Sequence, residues 1–385
     1  MQLREFFGFI VSLPLILLVM TISSLTYAER SVDLYTANAL VVNQTEQVRR
    51  QAAIRGLETV IVRLSGSRDT LQHPRVSEAV SNASAYLYQF SYQSTDQTIK
   101  IAGASQPATR LVMRFSQAPL ETLLQDAQLP IWSSSRPDVL VWTASNAKGQ
   151  NYVTPRSNIG SALKIAAANR GLPVVSPVLD LEDRSALSVS RLWALDEGSV
   201  RVAARRYDAD AVLAGRFSKA RSNWNGNFIL LHQGKTQYFS ATGDRQSKVA
   251  NDIIDRVTEY FANIYAAVPG SVNGSNSMLL QVNNINEFSR YTEVLNYLEK
   301  INLVESLMLE NVQPDQLQVR VNLNTDRQRF LTTLELDKKL RRVNQEEAFP
   351  SSGLSVSLSQ NENNGIVEPV LTTATQERPV QFTWQ

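Results

Sequence analysis

Residues 136–142 read RPDVLVW, with an unbroken apolar run from Val139 to Trp142 behind a proline. Such a run is the pattern of a strand buried on both faces, as in the middle of an α/β sheet. Downstream, Ser157 stands where a helix cap is wanted, Ile159, Leu163, Ala166 and Ala167 recur at helical spacing, and Gly171 closes the segment. LPVVSPVLDLED at 172–183 reads as a proline-broken strand ending in carboxylates. RLWALDEGSVRVAARRY at 191–207 reads as one or two helical pieces, and AVLAGRF at 211–217 as the next strand. NFILLHQGKTQYFSA at 227–241 is a hairpin turning at HQGK, because Gly234 can take the positive φ of a tight turn. Val249, Ile253, Val257, Tyr260, Ile264 and Val268 then form the stripe of a helix lying on the sheet.

This alternation over 136–268 predicts a central mixed sheet with helices packed over it, since parallel neighbours need a crossover element. Two segments of the stretch carry a resemblance. RGLPVVSPVLDLED at 170–183 and RRYDADAVLAGRF at 205–217 resemble the bacterial envelope family known as domain of unknown function 2066, over about Val32 to Arg341. The family name assigns no function, so the resemblance implies an exported protein and no catalytic residues. In topology the middle unit is also similar to the small α/β domains of envelope proteins such as CsgG, the TolB amino-terminal domain and LpoB. That is fold analogy, which does not carry function.

Working outward, VDLYTANALVV at 32–42 reads as a strand, and Asn43 with Glu46 resembles a capping box opening a helix. Val48, Ala52, Leu57, Val60, Ile61 and Leu64 line its apolar face, which leaves Arg49, Arg50, Arg55 and Arg63 as a solvated flank or a partner-facing strip. A short helix near Arg75 precedes three strand-like runs, AYLYQFSY, QTIKIAG and TRLVMRF, and a helix over Pro119 to Ala127 follows. Tyr86, Tyr88, Phe90 and Tyr92 alternate, which places them on one strand face, as core or cross-strand packing or, as the alternative, a ligand platform. On the carboxy-terminal side, PGSVNGSNS reads as a linker. Beyond it a strand, a helix with the Phe288, Tyr291, Leu295, Leu298 stripe, a hairpin around Pro314 and Asp315, and a last helix make a βαββα module.

The expected fold is therefore α/β and α+β, with the central mixed sheet flanked by an amino-terminal α+β domain and that module. The expected organisation is a signal peptide at 1–28, domains at 29–130, 136–268 and 277–342, and a mostly disordered tail at 343–385. Arg4, the apolar run FFGFIVSLPLILLVM and the smaller residues up to Ala28 are the parts of a secretory signal peptide, cut after Ala28, with an uncleaved membrane anchor as the alternative. Export to a Gram-negative periplasm is the expectation. The absence of cysteine excludes a lipidated anchor, disulfides and thiolate zinc sites.

At 385 residues and 43% hydrophobic, the chain can build several cores. Its net charge of +2 is uneven: beyond Arg342, five glutamates against one arginine leave the tail at −4 and the rest at +6. A charge of that size spread over several domains is no nucleic-acid footprint. In the tail, Val380, Phe382 and Trp384 alternate behind Pro379. They read either as a free end or as an edge strand added to the protein itself or to a partner, so Phe382 and Trp384 are candidate partner-binding residues.

Catalytic motifs are sparse. His73 and His232 have no ligand or triad spacing, the Ser161 and Lys164 pair lacks the motifs that accompany a serine–lysine catalytic pair, and the GKT at 234–236 lacks a phosphate loop's upstream glycine. Asp180, Glu182 and Asp183 follow a strand where α/β folds place sites, with Asp208 and Asp210 before the next strand. Carboxylates gathered there would hold a divalent cation or perform acid–base work; the structural alternative is that they cap a helix and shape turns. The expectation is a non-enzymatic envelope interaction or adaptor protein, without cofactor, nucleotide or nucleic acid, touching membrane only through an uncleaved first segment. The alternative is a periplasmic hydrolase or metal-dependent enzyme at Asp180, Glu182 and Asp183.

Overall fold

The computed structural model describes residues 32–343, apart from 102, 148 and 270–275, together with 378–385. The first residues build β1 (Thr36–Val41), α1 (Glu46–Ser65), α2 (Pro74–Ser81), β2 (Leu87–Ile101), β3 (Ala104–Phe115) and α3 (Gln117–Asp126). Their sheet is antiparallel in the order β1-β3-β2, and α1 buries Leu57, Val60, Ile61 and Leu64 with Leu111, Met113 and Phe115 of β3. The cap of α1 is Thr45 rather than Asn43: Thr45 accepts from the Val48 amide, while Asn43 accepts from the Thr45 amide and hydroxyl. The first two strand-like runs fuse into one strand, β2. A bulge between Leu87 and Gln89 breaks the expected aromatic alternation, and Tyr86 precedes the strand, so Tyr88 stands 62% exposed instead of in the core.

The central part comprises β4 (Val139–Ser145), β5 (Asn151–Tyr152), α4 (Asn158–Arg170), β6 (Val174–Val175), α5 (Leu181–Ala186), α6 (Val189–Ala194), α7 (Glu197–Ala204), β7 (Ala211–Ala220), β8 (Asn223–His232), β9 (Lys235–Gly243) and α8 (Gln246–Tyr265). The sheet runs β5-β4-β7-β8-β9 with β6 beside β4; β4 is parallel to β6 and β7, and the hairpin strands are antiparallel. Alternation along β4 explains its apolar run. Val139 faces α4 and α8, whereas Leu140, Trp142 and Ala144 face the layer of α5, α6 and α7. The strand expected over 172–183 shrinks to Val174–Val175, because the chain leaves the sheet at Pro177 and Asp180 opens a helix.

Beyond Asn276 come β10 (Ser277–Asn283), α9 (Phe288–Glu299), β11 (Val304–Gln313), β12 (Gln316–Leu323), α10 (Arg327–Leu336), β13 (Leu340–Arg342) and β14 (Val380–Trp384). The order is β11-β12-β10-β14-β13. The last residues are thus an interior strand, parallel to β10 and antiparallel to β13. Phe382 is fully buried and Trp384 lies 5.7 Å from the Tyr297 ring. Both candidate partner-binding residues are consumed by the protein's own core, since interior positions of this sheet are covered by helices. The rest of the tail expected to be disordered, 344–377, lies outside the described residues.

Each sheet has its own core, yet contacts tie the described residues of all three into one unit. The seam is built on arginines. Arg136, buried, donates to the carbonyls of Ser133 (3.0 Å), Arg170 (2.9 Å), Gly171 (3.2 Å), Arg63 (2.6 Å) and Trp132 (3.2 Å), and its guanidinium lies 4.1 Å from the Trp132 ring. Arg63 donates to the carbonyls of Asp33, Leu34 and Thr36, and Arg170 to that of Gly66. The expected solvated flank of α1 therefore excludes Arg63, which is buried. Carbonyls of a last helical turn lack helical partners and carry the negative end of the helix dipole, so a guanidinium between two such ends is well placed. Gly171 is required there: its φ is +63°, and a Cβ would lie 2.6 Å from Arg63 Cγ.

If β14 completes the sheet, Phe382→Ala will cost about 3–5 kcal/mol. Denaturant unfolding of the two proteins checks this, and an unchanged midpoint would contradict the interior placement.

Candidate functional site

The predicted acidic residues do meet, but around a cation the chain itself provides. Asp180 caps α5 by accepting from the Asp183 amide at 3.0 Å. Arg206, in the turn after α7, grips the Asp180 carboxylate with both terminal nitrogens at 2.8 and 2.7 Å and reaches Asp183 at 3.1 Å. Glu182 is 3.6 Å from the same guanidinium. The other Asp183 oxygen accepts from the Tyr207 hydroxyl at 2.5 Å and the Leu179 amide at 2.7 Å, and the Tyr207 oxygen in turn accepts from the Val178 amide.

These bonds shape the titration of the cluster. The guanidinium of Arg206, helped by the Asp183 amide, holds Asp180 down to about 2, and those carboxylates raise Arg206. Burial and the bond to Asp183 push Tyr207 up to about 12. With both oxygens of Asp180 and of Asp183 engaged, the set fits a structural latch better than a cation site or a proton-transfer pair. Among the described residues no group of three or more acidic or histidine side chains is arranged to hold a metal. Asp208 and Asp210 belong elsewhere: Lys338 donates to Asp208, and Asp210 accepts from the Asp138 amide at 2.8 Å.

The latch joins the two segments that carried the family resemblance, DLED and RRYDADA. It holds Leu179 at φ +62°, a left-handed conformation uncommon outside glycine, and leaves Val178 and Leu181 68% and 82% exposed. Arg206 and Tyr207 were missed in the sequence reading, although an Arg-Arg-Tyr facing an acidic motif across one crossover was the available signal. His232 plays the packing role. It is buried, with its ring nitrogens 3.2 Å from the Tyr260 and 3.0 Å from the Tyr265 hydroxyl, and burial pushes it down to about 4. His73 opens α2, and Ser161 and Lys164 lie on α4, where the Ser161 hydroxyl donates to the Pro155 carbonyl.

A cleft of about 590 Å³ opens along β1. Its walls include Asn38 and Leu40 of β1, Arg55 and Thr59 of α1, and Asn169 and Leu172 at the end of α4. β1 is an edge strand. Because the Phe115 amide donates to the Tyr35 carbonyl, the odd-numbered residues of β1 bond to β3, and the backbone of Thr36, Asn38 and Leu40 faces the cleft. Thr36 is already satisfied: its amide donates to Asp33 and its carbonyl accepts from Arg63. The rungs at Asn38 and Leu40 remain open among the described residues.

A family model matches the amino-terminal part of the chain. It is described as "Domain of unknown function (DUF8605)" and spans residues 28–133, which takes in the β1-β3-β2 sheet and the cleft wall it supplies. The match agrees with the expectation of a domain of unknown function, and it carries neither the 2066 family nor its extent to Arg341. No curated protein matches the chain. Among solved structures, the LpoB carboxy-terminal domain from Salmonella enterica is similar, with 18% identity over 28% of this chain and 83% of that one and a TM-score of 0.21. A score of that size establishes no shared fold. No helix among the described residues is long and apolar enough to cross a membrane.

Two outcomes follow. Asp183→Ala strips a buried carboxylate from Arg206 and Tyr207 and will cost about 2–4 kcal/mol, while exposed Glu182→Ala will leave the unfolding midpoint where it was; equal effects would contradict the latch. For His232 the folded pKa is below the ordinary value, so the unfolded chain takes up the proton first as pH falls. The stability this residue contributes is complete above about pH 6.5 and is lost as pH falls toward 4. Unfolding titrations at several pH values will show that loss flattened in His232→Gln.

Proposed function

We propose that the protein is an exported cell-envelope component that acts by binding other proteins rather than by catalysis. The observation that carries this reading is the edge of β1, whose Asn38 and Leu40 rungs face a cleft and have no partner among the described residues. Sheet edges of that kind are where extended segments of other chains dock. Export, and a periplasmic location after cleavage at Ala28, is supported by the basic, apolar and small-residue order of the first 28 residues and by the resemblance of the 170–183 and 205–217 segments to the exported 2066 family. The alternative of a hydrolase or metal-dependent enzyme draws on Asp180, Glu182 and Asp183, whose charges Arg206 already holds.

Fractionation of the native host, followed by crosslinking in cells from a photoreactive residue placed in turn at Leu40, Tyr238 and Met308, tests the reading. The expected result is recovery in the envelope fraction with a discrete crosslinked protein from at least one position. A cytoplasmic protein, or one without a discrete partner at any of these exposed edges, would falsify it.

A further inference from the structure

The interaction reading leaves open what kind of partner segment is bound and where. We infer that β1 takes up an extended, acidic segment of a partner protein as an added strand, with one of its carboxylates set against Arg55; this rests on the interaction reading above.

The edges of the three sheets are not equivalent. Of the other long outer strands, β2 and β11 carry bulges that disturb a regular ladder, between Ser94 and Thr98 in β2 and between Leu309 and Asn311 in β11, while β9 pairs regularly with β8 but opens on the charged Lys235 and has Thr236 and Tyr238 bonded to Glu197 of α7. A bulge is one of the devices that keep an edge from pairing with another chain, as are proline and inward-pointing charge. β1, reading TANALV, has none of these, and its register with β3 is continuous from Thr36 to Val41. Its two open rungs offer up to four backbone bonds, and at roughly 3.3 Å per residue a segment of about four residues spans them.

The surroundings limit the register and the chemistry. At the Thr36 end, Arg63 and Asp33 occupy the rung, so an incoming strand must stop there. On the wall formed by α1, Arg55 is exposed and has no ion-pair partner among the described residues, whereas Arg50 pairs with Glu46 and Arg49 lies over the Phe90 ring. Asp33, the acidic residue of the lining, accepts from the Tyr35 and Thr36 amides. Side chains of an added strand alternate between the two faces of the sheet. Those on the α1 side meet Arg55, and those on the opposite side extend the surface of exposed Leu40. An alternating acidic and aliphatic segment satisfies both.

The test uses the whole protein and three fluorescein-labelled pentapeptides: Val-Glu-Val-Glu-Val, Val-Lys-Val-Lys-Val, and the glutamate peptide N-methylated at alternate residues. Anisotropy titration gives affinity, and hydrogen exchange reads the Asn38 and Leu40 amides. The expected result is tightest binding of the glutamate peptide, by about fivefold to tenfold over the lysine peptide, protection of both amides, and loss of binding on N-methylation. Arg55→Glu should invert the order of the two peptides. Leu40→Pro removes one outward donor and should weaken both with an unchanged melting temperature. Failure of every peptide to bind, binding that leaves the two amides unprotected, or an order unmoved by Arg55→Glu would each overturn the inference. A cellular partner whose crosslinks map only to Tyr238 or Met308 would remove the β1 site and leave the interaction reading standing.

Discussion

The guanidinium of Arg136 sits where the carboxy-terminal ends of α1 and α4 converge, and the packing of the amino-terminal sheet on the central one depends on it. Two helix ends brought together would leave uncapped carbonyls facing each other in a dry seam, a costly arrangement. A buried arginine without a carboxylate would be equally costly. Each cost offsets the other because a guanidinium has five donors in a fixed fork, enough to serve carbonyls from the loop at 132–133 and from both helices. On either side, Arg63 donates to carbonyls leading into β1 and Arg170 to the Gly66 carbonyl at the end of α1, with an added ion pair to Asp255 at 3.3 Å. Gly66 and Gly171 allow the close approach, since a Cβ on Gly66 would lie 2.3 Å from that of Ala262. The seam also fixes the cleft, because Arg63 closes the Thr36 rung while α4 supplies the opposite wall.

The acidic cluster shows the same economy of charge. Arg206 clamps Asp180 and Asp183 across the crossover between β6 and β7, and the bonds hold a strained loop in place. Their position at the carboxyl end of parallel strands is where α/β folds often keep their chemistry. Here the position is filled by the chain's own cation, while the outward amides and carbonyls of Asn38 and Leu40 have no partner among the described residues. Main-chain pairing at such an edge takes its specificity from the few side chains that border it.

How legible this was varies by element. The central sheet could be read closely: the apolar run of β4, the Ser157 cap, the turn at Gln233 and Gly234, and the stripe of α8 up to Ile264 are set by local rules of burial, capping and positive φ, although the helix ends at Tyr265, before Val268. The βαββα order was legible for the same reason. β2 was read as two strands because Ser94 to Thr98 looks like a turn locally, and only pairing with β3 carries it through as a bulge. Arg63 looked like a solvated residue, since a helical wheel cannot show that a second helix end arrives beside it.

By itself the sequence determined most of the elements, their order, the mixed sheet and the carboxylates that gather after β6, because each follows from neighbours a few residues apart. Only the tertiary structure decided that those carboxylates face Arg206, that Phe382 and Trp384 fill an interior strand, and that β1 keeps an open edge. Each of these depends on which distant group occupies the next position in space, a pairing that composition and periodicity leave undetermined.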